Sequence, residues 1–292
     1  MPDERPFHLD KELIRKSFDQ AAARYDEVAV LQCEVGRRML ERLDLERLVP
    51  EVILDVGCGT GFITVQLLRK YRQAKVFALD ISPNMVAIAS RRSLWFCKLS
   101  CLCGDAEWLP LADASCDLLF SNLMLQWCGD LDQVFSEFRR VLRPGGLLLF
   151  STLGPDTLSE LRQSWQAVDE HSHVNAFIDM HDIGDALVRV QLADPVMDVE
   201  RITLTYRDVF SLMRDLKALG AHNITAGRAH GLTGKSRLQA MCAAYERFRR
   251  AGLLPATYEV VYGHAWAPQG SLSQKRADGL AVFPVSQLRR RP

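Results

Sequence analysis

Between residues 50 and 152, short continuous apolar runs alternate with segments in which apolar residues recur every three or four positions. The continuous runs predict strands buried on both faces, as in a parallel sheet that is covered by helices. They lie at residues 52–56, 76–80, 99–103, 117–121 and 147–152. The periodic segments between them predict helices, so the pattern is typical of an α/β fold with a doubly wound sheet.

The flanking regions are mainly helical in pattern. Residues 8–48 carry apolar side chains at helical spacing, with an interruption at Tyr25 and Asp26. Beyond residue 153, helices are predicted at residues 156–170, 182–191, 208–220 and 234–252. Two strand-like segments remain in this second part of the chain, at residues 201–206 and 258–262.

A glycine turn follows the first strand. The apolar run ends at Asp55, glycines follow at positions 57, 59 and 61, and the second run ends in Asp80. A strand, a glycine turn, a helix and a strand ending in an acid are how α/β proteins hold an adenosine group. The third glycine comes one residue too early for a dinucleotide fingerprint, and the Asp55 carboxylate would repel a pyrophosphate. S-adenosylmethionine, with a cationic amino-acid end and a ribose diol, fits better than a nicotinamide dinucleotide.

Composition adds little about partners. The 36 Lys and Arg residues balance 36 Asp and Glu residues, which gives no whole-chain signal for nucleic acid or a membrane surface. No apolar stretch approaches the roughly 18 residues of a membrane span, and the N-terminus lacks the apolar segment of a signal peptide. We therefore expect a cytoplasmic protein with reduced cysteines. The cluster of Cys97, Cys101 and Cys103 has no second Cys/His pair at zinc spacing, so we predict no metal site.

The turn at residues 55–61, Asp-Val-Gly-Cys-Gly-Thr-Gly, resembles the first motif of class I S-adenosylmethionine-dependent methyltransferases. Further motifs of that superfamily follow in the same order, at residues 78–85, 104–110, 117–122 and 142–150. The resemblance implies a Rossmann-like fold and S-adenosylmethionine as the cofactor. By the same pattern, the two later strand-like segments would complete a seven-stranded, mostly parallel sheet.

The resemblance also implies which residues bind the cofactor. Asp55 and Gly57 are expected at its amino-acid end, Asp80 at the ribose hydroxyls, and Asn122 at the methyl-transfer face. The full set is Asp55, Gly57, Gly59, Gly61, Asp80, Ile81, Met85, Asp105, Ala106, Asn122 and Leu123.

A narrower resemblance extends over nearly the whole chain. Residues 18–26, 122–127, 151–158, 174–185 and 258–266 are similar to segments of the malonyl-acyl-carrier-protein O-methyltransferases of biotin synthesis. One departure is Gln191-Leu192, where an apolar helix end with glycine is usual. The implied reaction is methyl transfer to the free carboxylate of a malonyl thioester on acyl carrier protein, which starts pimelate synthesis. It needs no obligatory general base, because a carboxylate is already ionised at pH 7.

The family pattern divides the chain into four parts. Residues 1–49 are expected to form a helical lid and residues 50–153 the cofactor-binding core. Residues 154–268 would complete the sheet and carry a helical cap over the site, inserted at about 207–254. The polar residues 269–292 would form a tail.

Features that determine the acceptor are expected in the N-terminal helix and after residue 153. Tyr25 and Asn122 are candidates for positioning, although Tyr25 could equally be a helix-packing aromatic. The substrate-side candidates are Tyr25, Gln126, Trp127, Asn175 and His181. Some cation should hold the malonyl carboxylate, and the sequence leaves Arg24, Arg162 and Arg201 open. One weak contact would suit this role better than a bidentate clamp, which would blunt the nucleophile.

The resemblance also implies acyl carrier protein, an acidic protein, as the partner. A basic face on the cap is a candidate docking surface, although a solvated charged face is the plainer interpretation. Its residues are Lys235, Arg237, Arg247, Arg249 and Arg250. Two other functions stay open: methylation of another small acid or a quinone precursor, and a non-methylating assembly factor that hydroxylates protein arginine.

Overall fold

The computed structural model describes residues 9–93, 99–221 and 234–269. Within them, seven strands form one sheet in the order β3-β2-β1-β4-β5-β7-β6. The strands are β1 (Val52–Val56), β2 (Lys75–Asp80), β3 (Ser100–Cys103), β4 (Cys116–Asn122), β5 (Leu142–Leu153), β6 (Ala193–Tyr206) and β7 (Leu254–Trp266).

The first five strands of the sheet order, β3, β2, β1, β4 and β5, run parallel to one another. Strand β7 is antiparallel to both β5 and β6. This arrangement confirms the α/β, mostly parallel sheet that the sequence predicts. Leu153 at the end of β5 pairs with Val260 in the middle of β7. The carboxyl ends of β1, β2, β4 and β5 therefore lie on the same side of the sheet as the first half of β7, and ligands bind at this side in open α/β sheets.

Helices cover both faces of the sheet. Asp10 caps the first one by accepting hydrogen bonds from two backbone N–H groups. The α-helices are α1 (Lys11–Ala21), α2 (Tyr25–Val28), α3 (Val30–Arg42), α4 (Phe62–Lys70), α5 (Pro83–Arg91), α6 (Leu131–Val141), α7 (Ser159–Gln166), α8 (Met180–Arg189), α9 (Val209–Ala218) and α10 (Lys235–Tyr245). In the described residues, no helix is both long and apolar enough to cross a membrane.

The last two strands are longer than the prediction. Along β6, intermediate and exposed residues alternate, because this edge strand covers the core with one face only. The sequence pattern therefore predicts only the end of this strand, at residues 201–206. In β5 the strand begins at Leu142, which pairs with Cys116 before an irregularity in register. The helix predicted at residues 156–170 is limited to α7.

The hydrophobic core lies on both faces of the sheet. Leu31, Val35 and Met39 of α3 are buried in the cluster on one face, together with Leu212 of α9 and Met241 of α10. The cluster on the other face is built largely from α6 and α8. Along the chain, helices α9 and α10 follow β6 and precede β7, which is where the cap insertion is predicted. The predicted boundary at residue 153 falls inside one continuous sheet, and the tail at 270–292 lies outside the described residues.

Candidate active site

A cavity opens at the side of the sheet described above, beneath the N-terminal helices. The volume open to the centres of water molecules is about 170 Å³. One water molecule needs only about 10–15 Å³ by the same measure. One part, which we call the turn half, is lined by Gly57, Gly59, Asp80, Ile81, Met85, Asp105 and Ala106. The remainder, the cap half, is lined by Leu158, Leu161, His173, Asn175, Tyr206 and Tyr258, among others.

The glycine turn has the left-handed backbone that glycine permits. Its φ angles are +76° at Gly57, +54° at Gly59 and +80° at Gly61. The N–H groups of Gly57 and Cys58 donate to the carbonyl of Leu79 at 2.8 and 3.0 Å, which ties the turn to the end of β2. A Cβ atom on Gly57 would lie 2.4 Å from Met124 Cγ, so a larger side chain would displace the turn.

Asp80 lies at the wall of the turn half and is 8% exposed. Its carboxylate accepts hydrogen bonds from the backbone N–H of Gly59 at 2.8 Å and of Ser82 at 2.9 Å. Burial raises the pKa of Asp80 to about 6, against the lowering effect of these two N–H groups. A carboxylate has about four lone-pair sites, so Asp80 can still accept two hydroxyl groups.

Asp55 lies behind the turn rather than in the cavity lining. It is 2% exposed, and its Oδ2 accepts a hydrogen bond from Thr64 Oγ1 of α4 at 2.5 Å. Burial raises its pKa to about 7, while the Thr64 hydrogen bond opposes that rise. Gly61 is also outside the lining, whereas the other nine predicted cofactor-binding residues line the cavity.

The loop after β3 brings Asp105 and Ala106 to the cavity. Asp105 Oδ1 accepts a hydrogen bond from the Glu107 N–H at 3.0 Å, and its Oδ2 lies 2.5 Å from Lys11 Nζ. Burial lowers the pKa of Lys11, but Asp105 and Glu107 outweigh this and raise it. The sequence did not single out Lys11, because nothing local to a helix start signals a partner 94 residues away.

The end of β4 is fixed by polar contacts. Asn122 donates from Nδ2 to the Gln32 carbonyl at 2.9 Å and accepts at Oδ1 from Ser151 Oγ at 3.0 Å. The Leu123 N–H donates to Ser151 Oγ at 3.0 Å. Both predicted residues line the cavity, and so does Gln32. The Gln32 Oε1 atom is buried without a hydrogen-bond partner in the described part of the chain, an acceptor that suits an amino group.

The N-terminal helices cover the cavity through side chains on both of its halves. Tyr25 lines the cavity, and burial, followed by the charge of Asp80, raises its pKa. Its neighbour Asp26 accepts a hydrogen bond from Thr60 Oγ1 of the glycine turn at 2.6 Å. Phe18 of α1 packs edge-on against Trp127, with ring centroids 5.2 Å apart.

Three of the four remaining substrate-side candidates line the cavity: Gln126, Trp127 and Asn175. Gln126 donates to the Leu123 carbonyl at 2.6 Å and accepts from Thr152 Oγ1 at 3.1 Å. His181 is placed elsewhere. Its side chain is 80% exposed at the start of α8, with Nδ1 2.6 Å from Asp179 Oδ1, because Asp179 caps this helix on the surface. Among the described residues, the histidine that lines the cavity is His173, which lies just before the 174–185 motif.

The three candidate arginines do not line the cavity. Arg24 pairs with Glu27, and both side chains are largely exposed. Arg162 donates to the Pro155 carbonyl at 2.6 Å and to the Thr157 carbonyl at 3.2 Å. Arg201 pairs with Asp156 at 2.5 Å. Each guanidinium group therefore already has partners, and among these partners only Thr157 also lines the cavity.

The basic face predicted on the cap, which α10 and the residues after it form, is partly committed to internal contacts. Arg249 donates to Glu246 and to the carbonyls of Arg207 and Gly252. By contrast, Lys235, Arg237, Arg247 and Arg250 are at least partly exposed. No acidic side chain in the described residues pairs with Lys235, Arg247 or Arg250 within 4.0 Å, whereas Arg237 Nη1 lies 3.9 Å from Asp169 Oδ2.

The cavity as a whole suits a cationic nucleoside in its turn half, where Asp80 and Asp105 supply carboxylates. The cap half is mainly apolar, with hydroxyl groups of Thr157, Tyr206 and Tyr258 in its wall. Burial and the charge of Asp215 raise the pKa of Tyr206 to about 12. No group of three His, Cys, Asp or Glu residues within 9–93, 99–221 and 234–269 is arranged to hold a metal ion.

Sequence comparison identifies close relatives. A methyltransferase-domain family model matches residues 54–150. The malonyl-(acyl-carrier protein) O-methyltransferase of Methylovorus sp. is 54% identical over 279 residues, which covers 94% of each chain. The protein of the same name from Gallionella capsiferriformans is 52% identical over 286 residues, covering 96% of this chain and 98% of the relative.

Solved structures share the fold at much lower identity. The YcgJ protein from Bacillus subtilis superposes with a TM-score of 0.56 at 15% identity, covering 80% of this chain and 99% of its own. Phosphoethanolamine N-methyltransferase 2 of Haemonchus contortus, in complex with S-adenosyl-L-methionine, gives 0.54 at 16% identity, covering 88% of this chain and 60% of its own. These likenesses concern the fold alone.

Proposed function

The chain belongs to the malonyl-(acyl-carrier protein) O-methyltransferases, and from this family membership we propose how its own residues carry out the family's reaction. The protein is an S-adenosylmethionine-dependent methyltransferase that esterifies the free carboxylate of malonyl-acyl-carrier protein for biotin synthesis. The observation that carries the residue assignment is the buried Asp80 carboxylate beside the glycine turn, at the wall of the cavity. Methylation of another small acid and arginine hydroxylation are not favoured by these relatives.

The turn half provides the groups that S-adenosylmethionine needs. Asp80 accepts hydrogen bonds from the ribose hydroxyls with the lone pairs that Gly59 and Ser82 leave over. Asp105, with Ala106 beside it, faces the adenine edge. Gly57 and Gly59 present backbone to the amino-acid end, where the unpartnered Gln32 Oε1 accepts from the ammonium group.

S-adenosylmethionine supplies, when bound, a methyl group whose carbon–sulfur bond breaks as a carboxylate oxygen forms the new carbon–oxygen bond. The acceptor needs no proton removed, since a carboxyl group in water has a pKa of about 4 and is ionised at pH 7. The protein's contribution is to align the acceptor oxygen and exclude water. Tyr25, Leu123 and Trp127 form the walls for this alignment, and Asn122 holds the end of β4 in place.

Acyl carrier protein is the substrate partner. We further propose that it docks on the exposed basic face formed by α10 and the residues that follow it, through Lys235, Arg237, Arg247 and Arg250. Arg247 and Arg250 support this, because an acidic partner would meet their guanidinium groups with no ion pair to break among the described residues. Arg249 contributes less, since Glu246 already neutralises it.

Transfer of a labelled methyl group tests the reaction. The protein is incubated with methyl-labelled S-adenosylmethionine and malonyl-acyl-carrier protein, and the carrier is examined for a base-labile label. We expect label on the malonyl form and none on acetyl-acyl-carrier protein, which has no free carboxylate. Absence of label on the malonyl form, with cofactor binding shown by calorimetry, would overturn the proposed reaction.

A further inference from the structure

We propose that His173, held by Asp169 and Trp165, binds the free carboxylate of the malonyl group in the cap half of the cavity. This proposal rests on the proposed function above and names the residue that selects the acid end of the acceptor. His173 was not among the substrate-side candidates of the sequence.

The orientation of the His173 ring is fixed on two sides. Its plane stacks on Trp165 with centroids 3.7 Å apart and an interplanar angle of 9°. Its Nε2 lies 2.8 Å from Asp169 Oδ1, and the residue lines the cavity. Both His173 and Asp169 have side chains that are largely buried, at 14% and 12% exposure. Since Asp169 occupies Nε2, Nδ1 is the nitrogen left for a ligand.

Asp169 is the anionic neighbour of the ring. Burial tends to raise the pKa of Asp169, but the hydrogen bonds from His173 and from the His171 backbone N–H outweigh it and lower the pKa. Asp169 therefore presents an ionised carboxylate to Nε2 of His173. The second Asp169 oxygen, Oδ2, is buried and accepts no hydrogen bond from the described residues. Arg237 Nη1 approaches it only to 3.9 Å.

Few other cations in the described residues can reach an acceptor in this cavity. Lys11 lines the turn half, where Asp105 and Glu107 hold it. Arg24, Arg162 and Arg201 lie outside the lining, with partners of their own. His173 is thus the described group of the cap half that can carry a positive charge, and its neighbours Leu158, Leu161 and Val174 strengthen a charge pair by excluding water.

A single histidine N–H group also suits the chemistry. One N–H group binds one carboxylate oxygen and leaves the other free to take the methyl group. A bidentate arginine would occupy both oxygens and lower the nucleophilicity of each. The contact is expected in the bound substrate and in the transition state alike, so its loss should raise KM more than it lowers kcat.

The test compares how His173→Gln and wild type distinguish malonyl-acyl-carrier protein from acetyl-acyl-carrier protein, by calorimetry in the presence of S-adenosylhomocysteine. We expect the variant to bind the malonyl form at least about tenfold more weakly and the acetyl form within about twofold of wild type. His181→Gln, an equal change at an exposed histidine outside the cavity, is the matched control and should behave as wild type. KM for the malonyl form should rise correspondingly, with a smaller change in kcat.

The outcomes separate the two proposals. Equal weakening of both carrier forms in His173→Gln would assign the residue a structural role and overturn the inference. Unchanged preference for the malonyl form would overturn it as well. Should His173→Gln fold poorly, Asp169→Asn is measured instead and must show the same loss of preference. A wild-type protein that methylates no malonyl carrier would instead overturn the proposed function, and the inference with it.

Discussion

Asp26, between the first two long helices of the chain, accepts a hydrogen bond from Thr60 in the glycine turn at 2.6 Å. The N-terminal segment is thereby attached to the turn that carries the cofactor-facing backbone. The attachment joins residues 34 positions apart, across the first strand of the sheet. It couples closure of the N-terminal segment to the shape of the turn.

Breaking this contact should weaken cofactor binding. Asp26 also pairs with Arg92, so a double-mutant cycle with Asp26→Asn and Thr60→Val is needed to isolate the contact. Each single change should raise the Kd of S-adenosylmethionine about fivefold, and the pair should show a coupling energy of about 1 kcal/mol. Isothermal titration calorimetry measures both. Strictly additive effects would show that the hydrogen bond does not contribute to binding.

Replacement of Asp80 by Asn should raise the Kd of S-adenosylmethionine at least about tenfold, because the amide loses half of the acceptor capacity offered to the ribose. The pKa of Asp80 is raised to about 6, so wild-type affinity should fall as the pH falls through 6 and the carboxylate gains a proton. Asp80→Asn should lose this part of the pH dependence. Asp113→Asn, which removes an exposed carboxylate paired with Arg140, is the control.

Asp55 should make the protein less stable at higher pH. Its pKa rises from 3.8 unfolded to about 7 folded, so the folded state binds the proton more tightly. The associated stability is fully present below pH 3.8 and is lost as the pH rises through 7. Asp55→Asn should therefore gain roughly 2 kcal/mol relative to wild type between pH 5 and pH 8. Urea unfolding at the two values measures the change.

A control is required for the removal of any carboxylate. Asp44→Asn removes an exposed partner of Lys70 and should shift stability equally at both pH values. If Asp55→Asn also shifts stability equally at pH 5 and pH 8, then Asp55 is ionised throughout this range and its Thr64 contact outweighs burial.

Reversal of two charges in the basic segment just after α10, as Arg247→Glu with Arg250→Glu, should raise KM for malonyl-acyl-carrier protein about 5–20-fold at low salt. The effect should shrink as salt screens the charges, and the Kd of S-adenosylmethionine should stay constant. Arg37→Glu, a reversal at an exposed position of α3 where Arg37 pairs with Glu34 and Glu41, is the control for net charge. An unchanged KM for malonyl-acyl-carrier protein in the variant with Arg247→Glu and Arg250→Glu would contradict the docking proposal.

The sequence predicts the turn half well and the cap half poorly, for a physical reason. Gly57, Gly59 and Asp80 are close in sequence to the strands that position them, so their spacing already encodes the geometry. His173 and His181 are close in sequence and chemically identical. Their places differ because Trp165 and Asp169 hold one ring in the cavity, while the cap of α8 keeps the other on the surface.

The strands show the same limit. A continuous apolar run identifies β1 from sequence, because both of its faces are covered. Much of β6 has no continuous apolar run, since this edge strand covers the core with only one face. Lys11 and Gln32 reach the cavity through helix packing alone, which no local pattern records.

The burial of α3 in the main core has a consequence for anyone who shortens this protein. Leu31, Val35 and Met39 pack among residues of the sheet and of the cap helices, so the N-terminal segment and the sheet form one cooperative unit. A truncated chain would expose apolar surface and report on solubility instead of on catalysis. Single side-chain changes at Lys11 or Asp26 separate the covering of the site from the integrity of the fold.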